Sequence, residues 1–189
     1  MPNELTALAP YSLIVGICWL LFFGIWAVMS LRGGRKSERR SATGLNTVRL
    51  LMIVAVVLAV AFAPRLSFGR FAAAFAAAGA ALCIAGLAFA SWARVALGGS
   101  WGMPMSLRDQ QALVTSGPYA YVRHPIYTGV SLMALGSVLV YPALVAWSAI
   151  MIAYFLFSVR REERDMERLF PDSYPAYKQR SKMLVPFVL

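Results

Sequence analysis

Long stretches of this sequence lack any charged residue. Four such runs occur, at 10–31, 50–64, 71–93 and 125–159. The chain is also 60% hydrophobic, whereas a soluble domain is typically about 45–50% apolar. Because about 18 or more consecutive apolar residues are enough to cross a bilayer, the absence of charge excludes an ordinary soluble domain and predicts an integral membrane protein.

Cysteine, histidine and acidic residues are scarce, at two, one and eight residues. Both Cys18 and Cys83 lie inside apolar runs, so we expect buried thiols rather than a disulfide. We expect no metal site. Residues 1–10 lack a basic segment and include one acid, Glu4, so we also expect no secretory signal peptide.

Basic residues are plentiful and unevenly placed. Sixteen of the 18 lysines and arginines lie in three segments, 32–49, 94–124 and 160–189. Basic residues in short loops mark the cytoplasmic side of a membrane protein. The apolar runs separate these basic segments from one another, which argues against a DNA-binding surface, so we expect no nucleic-acid partner.

The apolar runs predict an all-α integral membrane fold of about five transmembrane helices. The run 125–159 would be about 52 Å long as one straight helix, too long for a hydrocarbon core of ~30 Å. Tyr141-Pro142 interrupts it, which predicts a C-terminal helical hairpin. The predicted spans are 11–31, 48–63, 71–93, 125–140 and 143–159.

Five spans place the two termini on opposite sides of the membrane. The basic segments then share one side, so we expect the N-terminus outside and a C-terminal tail in the cytoplasm. We expect one membrane domain over 1–189, in which 1–93 supplies three N-terminal spans and 94–189 forms the functional core. Gly79 and Gly86 lie on the third span, where small residues allow close helix packing.

The segment "GPYAYVRHPIYTG", residues 117–129, contains the only histidine. Pro125 suits the first turn of a helix, where its missing N–H costs nothing. Free N–H groups at a helix start favour an anion, and Arg123 and His124 add hydrogen-bond donors at the same place. The alternative is an interfacial anchor, because arginine and tyrosine often lie at the headgroup level.

A second charged segment follows the last apolar run. Glu162 and Glu163 come within one turn of its end, near where Arg123 and His124 must lie, and ionisable groups at a membrane edge indicate a functional site. The alternative is a solvated helix held by ion pairs across one turn. Those pairs would be Arg160–Glu163, Arg161–Asp165 and Arg164–Glu167.

These two segments carry a resemblance to a known family. "LVTSGPYAYVRHPIYTG" at 113–129 and "EERDMERLFPDSYPAYKQR" at 162–180 resemble the isoprenylcysteine carboxyl methyltransferase and phospholipid methyltransferase superfamily, as does "LGGSWG" at 97–102. The resemblance covers about residues 94–186. It implies an integral membrane methyltransferase that uses S-adenosylmethionine and methylates a lipophilic acceptor at the cytoplasmic face, by direct transfer from the sulfonium.

The resemblance also implies the roles of individual residues. Arg123 and Arg180 would orient an anionic headgroup or carboxylate, and Glu163 or His124 would take a proton from an amine acceptor. The candidate catalytic residues are therefore Arg123, His124, Glu163 and Arg180. The cofactor contacts implied by position are Gln111, Ala112, Leu113, Val114, Tyr119, His124, Pro125, Ile126, Tyr127 and Glu162.

Two positions differ from the family pattern. Gln111 stands where many members have histidine, and Ser158 stands where the carboxyl-methylating branch has an arginine that contacts the substrate. The sequence does not identify the methyl acceptor or the oligomeric state.

Two other functions match parts of the sequence less well. A membrane sterol reductase that uses NADPH has a similar C-terminal half, but with asparagine and an acid at the positions of Ile126 and Val130. A non-enzymatic transport or interaction protein would need polar residues inside its spans. The first three predicted spans contain almost none beyond serine and glycine.

Overall fold

Five α-helices account for most of the residues that the structure describes. The computed structural model describes residues 2–32, 71–98 and 113–184. The helices are α1 (Pro2–Arg32), α2 (Ala72–Leu97), α3 (Pro125–Val140), α4 (Val145–Leu169) and α5 (Tyr174–Arg180). Two short 3₁₀ turns, Gly117–Ala120 and Pro142–Leu144, precede α3 and α4.

Three helical segments are long and apolar enough to cross a membrane: Leu8–Met29, Ala72–Leu97 and Pro142–Leu169. They confirm the predicted integral membrane protein. The helix α3 has the predicted bounds but only 16 residues, or about 24 Å at 1.5 Å per residue. It is therefore shorter than the ~30 Å hydrocarbon core. The predicted span 48–63 lies outside the described residues, so the count of five stays a prediction.

The predicted break at Tyr141-Pro142 is confirmed. Pro142 has no backbone N–H and its ring disfavours a helical conformation at the preceding residue, and Tyr141 accordingly adopts φ −127° and ψ 85°. A 3₁₀ turn then leads into α4, which continues to Leu169. The hairpin places the start of α3 beside the charged C-terminal end of α4.

Glycines allow α2 and α3 to cross with their backbones in contact. A Cβ atom built on Gly79 would lie 2.5 Å from the carbonyl oxygen of Gly136, and one on Gly86 would lie 2.5 Å from that of Gly129. Gly79 and Gly86 are seven residues apart on α2. Their partners on α3, Gly136 and Gly129, are also seven residues apart but in the reverse order, so the two helices run antiparallel. The prediction that Gly79 and Gly86 serve close packing is confirmed.

The core of the bundle lies between α1, α2 and α3. On α1, the buried Trp19 donates a hydrogen bond from Nε1 to Ser137 Oγ at 2.9 Å, which satisfies its only polar atom. Cys18 and Cys83 are free, buried thiols, as predicted. The remaining buried members of the core are Val15, Phe22, Ala90, Val130, Met133, Ala134 and Met151.

The chain after α5 returns to the start of α3. Residues 181–184, which we term the C-terminal segment, form a parallel bridge between Lys182 and Val122. The N–H of Arg123 donates to the Lys182 carbonyl at 2.7 Å, and the N–H of His124 donates to the Met183 carbonyl at 3.2 Å. These bonds satisfy donors that precede the first turn of α3 and fix the histidine backbone.

Candidate active site

Charged and aromatic side chains converge where α3 begins and the apolar part of α4 ends. Arg123 and His124 precede the first residue of α3, Pro125, and Glu162 and Glu163 lie three and four residues after Val159, the last residue of the charge-free run of α4. The antiparallel hairpin brings the two segments together. The proximity of the two sequence segments, predicted from their positions at the membrane edge, is confirmed.

Glu162 is held by neighbours on α3. The hydroxyl of Tyr127 donates to Glu162 Oε1 at 2.6 Å, and His124 Nδ1 lies 3.5 Å from Oε2. The same tyrosine hydroxyl lies 3.3 Å from the hydroxyl of Ser158, which is fully buried. The Glu162 side chain keeps 22% of its surface exposed, so one carboxylate is oriented by the protein and still accessible.

Glu163 has different partners and is buried. Arg123 donates from Nε to Glu163 Oε1 at 2.6 Å, and Lys178 Nζ lies 3.3 Å from Oε2. The guanidinium also donates from Nη1 to the carbonyl oxygens of Lys178 and Ser181. Arg123 therefore joins α4, α5 and the C-terminal segment through one side chain.

His124 lies between the two carboxylates. Its Nε2 is 3.7 Å from Glu163 Oε1, and the imidazole is only 9% exposed. Within the described residues Nε2 is buried and makes no hydrogen bond. Burial of the imidazole lowers its pKa, but the two nearby carboxylates of Glu162 and Glu163 favour the protonated ring and outweigh burial, so the pKa of His124 lies above its ordinary value.

Three buried tyrosines pack beside this charged group. The hydroxyl of Tyr177 donates to the Tyr119 carbonyl at 2.7 Å, and the rings of Tyr174 and Tyr177 meet edge to face at 5.9 Å. Burial raises the pKa of Tyr177 to about 12 and raises the pKa of Tyr119 as well. All three therefore stay neutral hydroxyls at physiological pH.

The structure brings together only some of the predicted site residues. Arg123, His124, Tyr127, Glu162 and Glu163 form one contact group. The ring of Tyr119 is buried beside this group.

The other predicted residues lie apart from this group or outside the described chain. Ile126 packs against the hydrophobic core. Leu113 and Val114 are half-buried in the coil that precedes the first 3₁₀ turn. Arg180 is exposed, with its guanidinium carbon 5.9 Å from the Tyr177 ring centroid. Gln111 and Ala112 lie outside the described residues.

Lys178 is a member of the site that the sequence did not predict. Its Nζ lies 2.9 Å from Glu167 Oε1 and bridges to Glu163, and hydrogen bonding to Glu167 together with attraction from Glu163 raises the pKa of Lys178. Glu163 and Glu167 are like charges one helical turn apart, an arrangement that is destabilising alone. That repulsion is a sequence signal that a cation from elsewhere must approach this turn.

The ion pairs that the alternative of a solvated helix would need do not form among the described residues. Glu163 and Glu167 face Lys178 rather than Arg160 or Arg164, and Asp165 pairs with Arg168 at 3.8 Å rather than with Arg161. For Glu163 the physical reason is burial, because Arg123 and Lys178 of α5 cover its carboxylate. The arginines remain on the opposite, exposed side.

Comparison with known proteins finds a family match over the same region. Residues 79–168 match the isoprenylcysteine carboxyl methyltransferase (ICMT) family. This stretch is just under half of the chain. It runs from Gly79, the first glycine of the α2 crossing, to Arg168 in the last turn of α4. It contains both the segment 123–127 and the pair Glu162-Glu163.

Curated relatives match shorter stretches. The chain is 36% identical over 69 residues to methanethiol S-methyltransferase 1 of Bradyrhizobium diazoefficiens, covering 36% of this chain and 24% of that protein. It is 33% identical over 79 residues to protein-S-isoprenylcysteine O-methyltransferase of Schizosaccharomyces pombe, covering 40% of this chain and 34% of that protein. The matches thus span only about a quarter to a third of these relatives' lengths.

A solved structure has a similar fold. The eukaryotic intramembrane Ras methyltransferase ICMT superposes with a TM-score of 0.53 at 21% sequence identity. The alignment covers 80% of this chain and 55% of that chain. At this identity the likeness concerns the helical architecture.

Proposed function

We propose that this chain, whose residues 79–168 match the isoprenylcysteine carboxyl methyltransferase family, transfers the methyl group of S-adenosylmethionine to a lipophilic acceptor. One observation carries the proposal. Within the family-matched region, the partly exposed Glu162 is oriented by Tyr127 beside a buried His124 whose Nε2 has no hydrogen-bond partner among the described residues. The sterol-reductase and transport alternatives gain no support from the comparisons.

The chemistry of these residues fits the proposed cofactor. S-adenosylmethionine carries a carboxylate, an ammonium and a ribose diol, and when bound it supplies an electrophilic methyl group on a sulfonium. His124 Nε2 is a donor suited to the carboxylate, and Glu162 is an acceptor suited to the ammonium or the diol. Tyr127 and Phe155, whose ring centroids are 4.8 Å apart, offer aromatic faces suited to a cation.

The protein's own contribution is alignment and exclusion of water. Glu162 and His124 bind and orient, and the buried tyrosines Tyr119, Tyr174 and Tyr177 close one side of the site. We assign Arg123 and Glu163 as positioning residues rather than the catalytic groups expected from the resemblance, because each is engaged by the other. Arg180 keeps its proposed role of meeting an anionic headgroup, since its side chain is exposed.

The acceptor is proposed from the membrane setting and from the relatives. Those relatives are named for methanethiol and for protein-S-isoprenylcysteine, and both names describe apolar groups attached to sulfur. We propose that a lipophilic acceptor enters from the bilayer between the helices, at the cytoplasmic face that the basic segments indicate. The fully buried Ser158, at a position where the carboxyl-methylating branch has arginine, favours an acceptor other than a carboxylate.

Calorimetric binding to detergent-purified protein tests the cofactor. Wild-type protein should bind S-adenosylmethionine and S-adenosylhomocysteine, and His124→Ala and Glu162→Ala should weaken binding at least about tenfold, the loss of one charge-assisted hydrogen bond. Arg168→Ala is the matched control, because its side chain is 81% exposed and lies on the far side of α4. Folded wild-type protein that binds neither compound would refute the proposal, as would unchanged binding by both site variants.

A labelled methyl group tests the acceptor class. Protein in native membranes, given S-adenosylmethionine with a radioactive methyl group, should place label in material that partitions into organic solvent. The Glu162→Ala variant should not. Label confined to water-soluble products in the wild type would contradict a lipophilic acceptor while leaving the cofactor site intact.

A further inference from the structure

The charged end of α4 has one face made only of arginine. At 100° per residue in an α-helix, Arg160, Arg161, Arg164 and Arg168 fall within about 100° of arc. All four are exposed, and we call them the arginine face. The four carboxylates of the same helical turns lie outside this arc.

The described protein does not neutralise most of this charge. Arg168 lies 3.8 Å from Asp165, but within the described ranges no carboxylate lies within 4.0 Å of Arg160, Arg161 or Arg164. Like charges at i and i+4, as at 160, 164 and 168, destabilise a helix. The face therefore favours an anion from outside the part of the chain that the structure describes.

The arginine face continues a surface that faces lipid. On the same arc of α4, ten and three residues before Arg160, lie the exposed apolar side chains of Ile150 and Phe157, at 71% and 56% exposure. The segment 142–159 contains no charge and spans about 27 Å, close to the ~30 Å hydrocarbon core. Arg160 is thus the first residue at the membrane boundary.

The arginine side chains also point back toward the bilayer. Helical side chains tilt toward the N-terminus of their helix, and the N-terminal part of α4 is the part inside the membrane. The structure shows this tilt directly, since Arg164 donates from Nε to the Arg160 carbonyl at 3.2 Å. Arg164 lies about 6 Å beyond Arg160 along the axis, within reach of a headgroup layer about 5–8 Å thick.

We propose that the arginine face binds the phosphate groups of anionic phospholipids where α4 leaves the bilayer. Guanidinium groups match phosphate oxygens in a two-bond geometry, and an anionic leaflet attracts basic residues near its surface. The apolar stripe that precedes the arginines on the same arc identifies a lipid, rather than a soluble anion, as the occupant. This site is separate from the Glu162–His124 group and does not depend on the proposed methyl transfer.

Reconstituted full-length protein tests the assignment. We would measure the thermal unfolding midpoint in nanodiscs of phosphatidylcholine alone and of phosphatidylcholine with phosphatidylglycerol, and compete the two lipids for purified protein by native mass spectrometry. Wild-type protein should unfold at higher temperature with phosphatidylglycerol. The Arg160→Gln/Arg164→Gln variant should lose most of that shift and retain phosphatidylglycerol on the order of tenfold less tightly.

A matched control removes the same charge elsewhere. Lys182→Gln alters one exposed basic residue of the tail and should keep the phosphatidylglycerol effect, whereas Arg164→Gln, which removes the same single charge from the arginine face, should lose part of it. Circular dichroism in phosphatidylcholine nanodiscs checks that all three variants are folded. The proposal is overturned if phosphatidylglycerol has no effect on the wild type, if the double arginine-face variant keeps the full effect, or if Arg164→Gln and Lys182→Gln lose it equally.

Discussion

Two adjacent glutamates, Glu162 and Glu163, have different surroundings because successive residues of a helix point about 100° apart. Glu163 turns toward Arg123 and Lys178 and is buried. Glu162 turns toward Tyr127 and stays partly exposed. One carboxylate therefore supports the structure, while its neighbour can meet a ligand.

The charge of His124 gives a prediction for stability against pH. Because its folded pKa is raised above the ordinary value of about 6.5, the folded state binds the proton more tightly than the unfolded state does. The stabilisation is fully present below about pH 6.5 and is lost as pH rises through the folded pKa. The thermal unfolding midpoint should therefore fall as pH rises above about 6.5.

The chain contains no other histidine, so His124→Gln isolates this contribution. The difference in midpoint between wild type and variant should be largest at the acidic end of the range and should shrink as pH rises. A constant difference over about pH 6 to 9 would show that His124 is not stabilised as a cation by Glu162 and Glu163.

The sequence could predict part of this site. The paired motifs placed His124, Tyr127 and Glu162 near one another because both segments had to lie at the same membrane edge, and the contacts confirm that proximity. The partners of Glu163 could not be predicted in the same way. Lys178 lies in α5 and Ser181 follows it, so both reach the site only through turns of the chain beyond α4. Every residue has a backbone carbonyl, so the sequence cannot indicate that the Ser181 carbonyl accepts a hydrogen bond from Arg123.

Among the helices, the crossing of α2 and α3 depends on four glycines in two opposed pairs. Gly129 faces Gly86, and a Cβ on either one would lie 2.5–2.6 Å from the other's carbonyl oxygen. No real Cβ is tolerated at that distance from backbone. Since α3 begins with the residues of the site, the spacing of the two helices also sets the position of His124.

Gly86→Ala should be destabilising, although alanine is the better helix former. The added methyl group must push the two helices apart, and overpacking of this kind costs about 1–3 kcal/mol. Gly16→Ala is the matched control, because a Cβ on Gly16 of α1 meets nothing within 4 Å and alanine stabilises a helix by up to about 1 kcal/mol over glycine. Thermal unfolding in detergent compares them; equal stability of the two variants would contradict the crossing.

The helices themselves were largely predictable, because charge-free runs and Pro142 mark their limits. The bounds 125–140 are confirmed, and the predicted span 143–159 lies within the helical segment from Pro142 to Leu169. The pairing of helices was not predictable, since the Ala-rich face of α2 offers several equivalent neighbours. Gly79 and Gly86 indicated close packing, but only the structure shows that their partners are Gly136 and Gly129.

On the scale of the whole molecule, one side chain connects segments that are far apart in sequence. Arg123 precedes α3, contacts Glu163 on α4, and donates to the carbonyls of Lys178 on α5 and Ser181 in the C-terminal segment. The backbone bonds between 121–124 and 182–183 depend on the same alignment. Arg123 is therefore the connection that closes the C-terminal part of the chain over the site.

Removing Arg123 should unfold this region more than removing an exposed arginine. Arg123→Ala leaves the Glu163 carboxylate buried without its closest partner, and breaking a buried pair in this way costs about 3–5 kcal/mol. We expect the lower end, since Lys178 Nζ remains 3.3 Å from Glu163. Arg168→Ala, at an exposed position, should change the free energy of unfolding by no more than about 0.5 kcal/mol.

The double variant Arg123→Ala/Glu163→Gln separates the ion pair from the rest of the connection. Because the uncompensated charge is gone, the double variant should be more stable than Arg123→Ala alone, and the two losses should not add. Chemical denaturation followed by tryptophan fluorescence measures all three free energies. The idea is contradicted if the losses in free energy of unfolding add, or if Arg123→Ala is as stable as the wild type. In either case Arg123 does not hold the C-terminal segment through Glu163, and the catalytic role expected for Arg123 from the sequence would again be the better proposal.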